Sequence, residues 1–298
     1  MKGRIIVIGG PTATGKTALS VAAAKALDGE VVSADSMQIY RRMNIGTAKV
    51  TPEEMQGVPH YMIDVVEPDA PFSVAEYQRM ASACVDDILS RGKTPILVGG
   101  TGLYINSLLY PMTFREYNPQ IRAQIEAMYA ENGNEYMYEL LRQKAPERAA
   151  KLFPNDVKRV GRALELALNG EEHSLGDMHK EPRYDYRIFV LSGDRADLYE
   201  RINLRVDVME AKGLVDEVIA LLASGVPYTA QSFQAIAYKE MAEYLRGENS
   251  YSGTIELIKK RSRNYAKRQL TWFRQYENAV WLDCKEFNSN LNKVIEND

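Results

Sequence analysis

Gly10-Pro11-Thr12-Ala13-Thr14-Gly15-Lys16-Thr17 constrains the fold of this chain more than any other segment. It satisfies G-x-x-x-x-G-K-[ST] at every fixed position. Its surroundings agree: an apolar run, Arg4–Ile8, reads as a buried strand before it, and a helical pattern runs from Thr17 to Ala26 after it. In that order, strand, turn and helix aim successive backbone N–H groups inward, and the helix adds the positive end of its dipole. Lys16 then supplies a point charge to phosphate oxygens, and the Thr17 hydroxyl can ligate Mg2+. The segment commits the N-terminal part of the chain to a strand–loop–helix that grips a polyphosphate.

The rest of the sequence extends this start into a parallel α/β core. Short β-branched runs at Glu30–Ser33, Tyr61–Val65, Thr94–Val98, Arg187–Leu191 and Ala279–Leu282 alternate with helical patterns. One helix is expected from Val74 to Arg91, with Ser73 as N-cap and Glu76 three residues on, the pattern of a capping box. Between Asn118 and His179 the strand signals vanish. Helical patterns replace them over Ile121–Glu131, Glu135–Lys144 and Asp156–Asn169, where Val157, Val160, Leu164 and Ala167 share a face. The segment Glu171–Glu181 reads as an exposed loop. The expected fold is therefore a P-loop NTPase-like parallel sheet core, residues 1–115 and 186–298, interrupted by a helical insertion domain, residues 116–185.

Composition narrows the setting. Hydrophobic residues at 45% and charged residues at 26% suit a globular chain and exclude wholesale disorder. A net charge of −3 gives no global basic field, so any nucleic-acid contact must come from a local patch. Cys84 and Cys284 are the two cysteines, which excludes a disulfide scaffold. The apolar run at the N-terminus is too short for a signal peptide and no stretch approaches a membrane span, so a cytoplasmic protein with no membrane partner is expected.

Which polyphosphate binds is a separate question. Motor and switch NTPases hold their metal with an acidic residue at the end of a second apolar strand. Here the best such strand, Thr94–Val98, runs into Gly99-Gly100-Thr101. That departure favours a transferase, with diphosphate leaving from carbon, over an ATP-splitting enzyme. Asp35 follows the second strand, and ligands in open α/β sheets bind outside the strand ends. It could take a proton from an attacking amine or hydroxyl, or it could cap the next turn. Gln38 carries the donor–acceptor pair that can read an adenine edge.

At this point the chain resembles the tRNA dimethylallyltransferase (isopentenyltransferase) family. The matching blocks are Gly10–Thr17, Asp35-Ser36-Met37-Gln38-Ile39-Tyr40, Asn44-Ile45-Gly46-Thr47-Ala48-Lys49, Pro59-His60 and Gly99-Gly100-Thr101-Gly102-Leu103-Tyr104. They continue through Asn155-Asp156 with Arg159, Arg162-Ala163-Leu164-Glu165, Gln234-Ala235-Ile236-Ala237-Tyr238-Lys239 and Ala266-Lys267-Arg268-Gln269-Leu270-Thr271-Trp272. Their order spans residues 10 to about 274. Ala237 departs from the pattern, which usually has Gly there.

The resemblance implies an enzyme that moves a dimethylallyl group from dimethylallyl diphosphate to the exocyclic N6 of the adenosine 3′ of the anticodon. It implies that residues 10–17 hold the diphosphate, that Asp35 is the general base, and that Lys16, Thr101 and Arg122 act on the leaving diphosphate. Mg2+ is the implied cofactor, with Thr17 as its protein ligand. The implied tRNA contacts are Asp35, Ser36, Met37, Gln38, Lys158, Arg159, Arg162, Gln234 and Lys239. The expected partner is a tRNA anticodon stem-loop, whose target base must be exposed for chemistry, and a monomer is expected. On the residues alone, the other reading of Arg122 is a solvated charge on an inserted helix. Two other enzymes share these signals: an adenine-nucleotide isopentenyltransferase and a P-loop small-molecule kinase. A binding-only protein would not need Asp35 beside an intact loop.

The stretch Lys259–Arg274 holds seven Lys or Arg and no acid. Such density suggests phosphate-backbone contact, with Lys267 and Arg268 as the expected tRNA-binding pair. Tyr265, Gln269 and Trp272 fall at helical spacing, which places them toward the core more readily than against bases. His60, His173 and His179 form no metal-ligand pattern, and His60 reads as a structural hydrogen bonder.

Overall fold

The computed structural model describes residues 3–110, 112, 119–169 and 181–296. In chain order the described elements are β1 (Arg4–Gly9), α1 (Lys16–Ala26), β2 (Gly29–Ser33), α2 (Pro52–Met55), β3 (His60–Tyr61), α3 (Val74–Ser90), β4 (Thr94–Gly99) and α4 (Gly102–Leu109). Then follow α5 (Pro119–Lys144), α6 (Pro146–Ala149), α7 (Val157–Leu168), β5 (Asp185–Ser192), α8 (Arg195–Ala211) and α9 (Leu214–Ala223). The chain closes with α10 (Tyr238–Leu245), α11 (Tyr251–Phe273), β6 (Val280–Asp283) and α12 (Phe287–Glu296). It divides into two compact units, Met1–Tyr110 with Pro182–Asp298, and Pro111–Glu181.

In the first unit six described strands form one parallel sheet in the order β3-β2-β4-β1-β5-β6. Both faces are covered, as an all-parallel sheet requires. Ile5, Val7, Val32, Leu97, Ile188 and Val190 face one core, filled from the helices by Tyr77, Ile105, Leu221, Met241 and Ile258. Their sequence neighbours Ile6, Ile8, Val31, Ile96, Phe189 and Leu191 face the opposite core with Leu19 of α1 and Val294 of α12. The unbroken apolar runs are the mark of strands buried on both sides. The capping box of α3 forms: Ser73 Oγ accepts the Glu76 N–H at 3.2 Å, and Glu76 Oε2 accepts the Ser73 N–H at 2.8 Å.

The strand expected over Tyr61–Val65 is cut to His60–Tyr61. Met62 (φ 63°) and Asp64 (φ 54°) turn the backbone away, and the Val65 and Val66 N–H groups bond to the Ile39 carbonyl instead. His60 Nδ1 lies 2.9 Å from the Val58 carbonyl oxygen, a structural contact.

In the second unit, Ile125, Met137, Leu141, Val160, Ala163 and Leu164 form a small core of their own. α5 breaks at Gly133 (φ 75°, ψ −178°), between the two helical patterns read from the sequence. Of the four apolar residues assigned to one face of α7, Val160 and Leu164 are buried while Val157 is exposed. Most of the loop expected over residues 171–181, with His173 and His179, lies outside the described residues. Among the described residues no helix is long and apolar enough to cross a membrane.

Candidate active site

A cavity of about 510 Å3 opens at the carboxyl ends of β1, β2 and β4 in the first unit. Its floor is the loop that carries the G-x-x-x-x-G-K-[ST] pattern. Gly10 takes φ +134°, and an added Cβ would collide with the Leu191 carbonyl, so a side chain is excluded there on both counts. Ala13 sits at φ 64°, and Gly15, the N-cap of α1, at φ 88° and ψ 19°. The Thr14 hydroxyl donates to the Pro11 carbonyl at 2.8 Å and fixes the curl. α1 has no side-chain cap and no acid in its first turn, so its first N–H groups and positive dipole end face the cavity.

Lys16 is recessed in this floor, its Nζ donating to the Pro11 carbonyl at 2.6 Å. Burial, reinforced by the Arg205 charge and only partly opposed by Asp35, pulls its pKa from 10.5 down to about 7. Arg205 reaches the same cavity from α8. Burial lowers its pKa too, against the charges of Asp35 and Glu54. Two crowded cations beside a helix N-terminus make a site that gains by taking in an anion.

The loop after β2 forms the facing wall. The Ala34 N–H donates to the Val98 carbonyl at 2.7 Å and the Thr101 N–H to the Ala34 carbonyl at 3.1 Å, which ties the ends of β2 and β4 together. Asp35 Oδ1 accepts the Met37 N–H at 2.8 Å and the Gln38 N–H at 3.3 Å. Asp35 therefore caps its own turn and also lines the cavity. Thr101 Oγ1 accepts the Ser36 N–H at 3.1 Å and is also met by the Tyr265 hydroxyl, which burial pushes up to about 12. Gln269 bridges from α11: its Oε1 accepts the Thr12 N–H at 3.1 Å and its Nε2 donates to the Gly100 carbonyl at 3.1 Å.

The structure thus brings residues 12–17, Asp35, Ser36, Met37, Gln38, Gln234 and Arg268 to one cavity. Gly10 and Pro11 shape its floor from behind. Thr101 stands beside it, its hydroxyl engaged with Ser36. Lys239 on α10 and Lys267 on α11 are exposed outside the lining. Arg122, Lys158, Arg159 and Arg162 belong to the second unit. There Arg122 pairs with Glu126 at 2.9 Å, Arg159 with Asp156 at 3.1 Å and Arg162 with Glu165 at 2.8 Å, and Lys158 is exposed. Arg205 and Tyr265 line the cavity without having been singled out for it by the sequence.

The basic stretch is divided by its surroundings. Lys259 pairs with Asp207 and Glu256, Arg261 with the buried Glu240, and Arg263 donates to Asn203 at 2.5 Å. Lys260, Lys267 and Arg268 remain on the exposed side of α11, and Arg274 is exposed just after it. Lys267 and Arg268, the pair expected to meet tRNA, are thus among the cations left exposed, while the paired ones lie where α11 packs on α8 and α10.

The family model described as IPP transferase matches residues 38–276. The chain belongs to the IPP transferase family. A relative in this family, the tRNA dimethylallyltransferase of Exiguobacterium sp., is 49% identical over 98% of this chain and 94% of its own length. The crystal structure of a tRNA delta(2)-isopentenylpyrophosphate transferase from Staphylococcus epidermidis superposes with a TM-score of 0.75 at 42% identity, covering 99% of this chain and 98% of that one. A eukaryotic dimethylallyltransferase described as acting on tRNA gives a TM-score of 0.81 at 26% identity, over 98% of this chain and 77% of the other. The loop of residues 10–17 precedes the matched family model, but the Exiguobacterium relative covers it.

Proposed function

We propose that this protein transfers a dimethylallyl group from dimethylallyl diphosphate to N6 of the adenosine 3′ of the anticodon in tRNA. The observation that carries this reading is the meeting, in one cavity, of a cationic phosphate cradle and an aspartate on the facing wall. Membership of a family whose relatives bear the name tRNA dimethylallyltransferase supports it.

The chemistry follows from the placement. The C1–O bond of the allylic diphosphate breaks, a bond from adenine N6 to C1 forms, and the N6 proton passes to Asp35. Negative charge grows on the departing diphosphate, where Lys16, Arg205 and the N–H groups of residues 12–17 stabilise it. The exocyclic amine is a weak nucleophile, so its orientation by Asp35 and Gln38 counts as much as basicity. Thr101, whose hydroxyl also holds Ser36, and Arg122 of the second unit are assigned to the same leaving group. Lys158, Arg159, Arg162, Gln234, Lys239, Lys267 and Arg268 are assigned to the tRNA, whose target base leaves its stack to enter the cavity.

The residues also fit Mg2+. Among the described residues no cluster of His, Cys, Asp or Glu forms a protein cage. Thr17 is exposed at the first turn of α1 and lines the cavity with oxygen donors, which suits an ion that takes one protein hydroxyl and draws its other oxygens from phosphate and water. When bound there, Mg2+ neutralises part of the charge that develops on diphosphate.

The test is incubation of labelled dimethylallyl diphosphate with tRNA, AMP or ATP in turn. Label in tRNA alone is expected. Label in AMP would reassign the protein to free adenine nucleotides, and phosphate transfer from ATP would make it a kinase. A cytoplasmic monomer is part of the same proposal.

A further inference from the structure

Glu217 on α9 stands outside the cavity lining yet controls one of its walls. Its carboxylate accepts three consecutive backbone N–H groups. These are Asn44 at 2.8 Å, Ile45 at 2.8 and 3.0 Å, and Gly46 at 3.2 Å. Oε1 also accepts the Tyr238 hydroxyl at 2.5 Å. Tyr238 is fully buried at the start of α10, directly after the cavity-lining residues Gln234–Ala237. Its ring packs so closely on Gly46 that an added Cβ would stand 2.5 Å from Cε2. One carboxylate thus pins two walls of the cavity to each other.

The consequence reaches a polar side chain inside the cavity. Thr47 and Ala48 follow the pinned residues and line the cavity, and their carbonyls accept Gln38 Nε2 at 3.4 and 3.3 Å. With its Nε2 engaged by these two carbonyls of the wall, the amide of Gln38 keeps Oε1 as its acceptor for a ligand donor. The amine of adenine is a donor, whereas guanine offers a carbonyl oxygen at the same place. The orientation that suits adenine therefore depends on two carbonyls, and their position depends on Glu217.

We propose that Glu217, seconded by Tyr238, is a positioning residue that sets the purine-reading orientation of Gln38 through the 44–48 segment. This rests on the reading of the cavity as an adenine site. A glutamine cannot replace the carboxylate. One of its two terminal atoms becomes a donor that faces backbone donors, and an unsatisfied pair loosens the segment.

The test is a double-mutant cycle on the full chain, with Glu217→Gln, Tyr238→Phe and Gln38→Ala. Single-turnover transfer to an anticodon stem-loop RNA is measured beside calorimetric affinity for inorganic diphosphate. Glu217→Gln should slow transfer about tenfold, as a small misplacement of a positioned group does, and leave diphosphate affinity within about twofold. Tyr238→Phe keeps the ring and should show the same pattern at roughly threefold. In the Gln38→Ala background neither change should cost anything more. Additive losses, no loss in either single variant, or an equal fall in diphosphate affinity would overturn the proposal, the last by making Glu217 a scaffold residue only. A wild-type protein that modifies no RNA defeats the adenine reading itself. An active wild type with an additive cycle defeats this inference alone.

Discussion

Diphosphate binding should be coupled to protonation of Lys16. Burial and the neighbouring Arg205 hold its pKa near 7, against 10.5 for the ordinary side chain. At pH 8 the amine is then about nine-tenths neutral, and charging it costs about 1.4 kcal/mol, a factor of ten. A bound diphosphate reverses the imbalance by placing negative charge between the two cations, and so raises the Lys16 pKa. Affinity should weaken about tenfold for each pH unit above 7, until the pKa of the bound state is reached. The ligand ionises over part of this range, so the measurement needs a reference. Lys16→Arg supplies it, because a guanidinium stays charged throughout. Isothermal calorimetry at pH 8 in two buffers of different ionisation enthalpy should show close to one more proton taken up by the wild type than by Lys16→Arg. Arg205→Ala should shrink that difference, since it removes one of the causes of the depression. Identical proton uptake in wild type and Lys16→Arg would refute the reasoning.

Three further outcomes follow from particular residues. Asp35→Ala should slow single-turnover transfer by ~100-fold or more while diphosphate affinity survives; a near-normal rate would remove Asp35 from its role. Glu30, buried and paired with Arg91 at 2.6 Å, has its pKa drawn from 4.5 down to about 2, chiefly by the Arg91 hydrogen bonds. A depressed carboxylate contributes stability that is present above the unfolded value and lost as pH falls toward the folded one. Urea unfolding between pH 5 and 2.5 should therefore reveal a loss of about 2 kcal/mol that Glu30→Gln does not share, and parallel curves would contradict this. Ala237 is buried at φ 81° and ψ −46°, a conformation strained for any residue with a Cβ. Ala237→Gly should raise stability by about 1 kcal/mol, and a lower melting temperature would show that the methyl contributes packing worth more than the strain.

The sequence made the cavity floor legible because its chemistry is local. The spacing of Gly10, Gly15, Lys16 and Thr17 encodes a turn and a helix start within eight residues, and the buried strands declare themselves as unbroken apolar runs. Asp35 could be placed because strand ends and ligand sites coincide in parallel sheets. Arg205 could not. It lies on a helix rich in charges, and only the packing of α8 beside the loop turns it inward. Which cations of the basic stretch are left exposed was illegible for the converse reason. Asp207 and Glu240, which pair with Lys259 and Arg261, lie on other helices, and no local pattern reports them. β3 ended early because Met62 and Asp64 adopt positive φ despite having side chains, a choice set by the 39–66 contacts. For the residues assigned in the second unit, resemblance to the family is the sole guide, because their local motifs, such as that around Arg122, have no distinctive chemistry of their own.

The central claim is that a prenyl group leaves its diphosphate above Lys16 and arrives on an adenine nitrogen aimed by Asp35. Digestion of the modified tRNA to nucleosides, followed by mapping of the label, tests it most directly. The account predicts all label on N6 of the adenosine just 3′ of the anticodon, and none in a tRNA carrying guanosine at that position. Label on another nucleoside, or equal labelling of the guanosine-bearing tRNA, would contradict it.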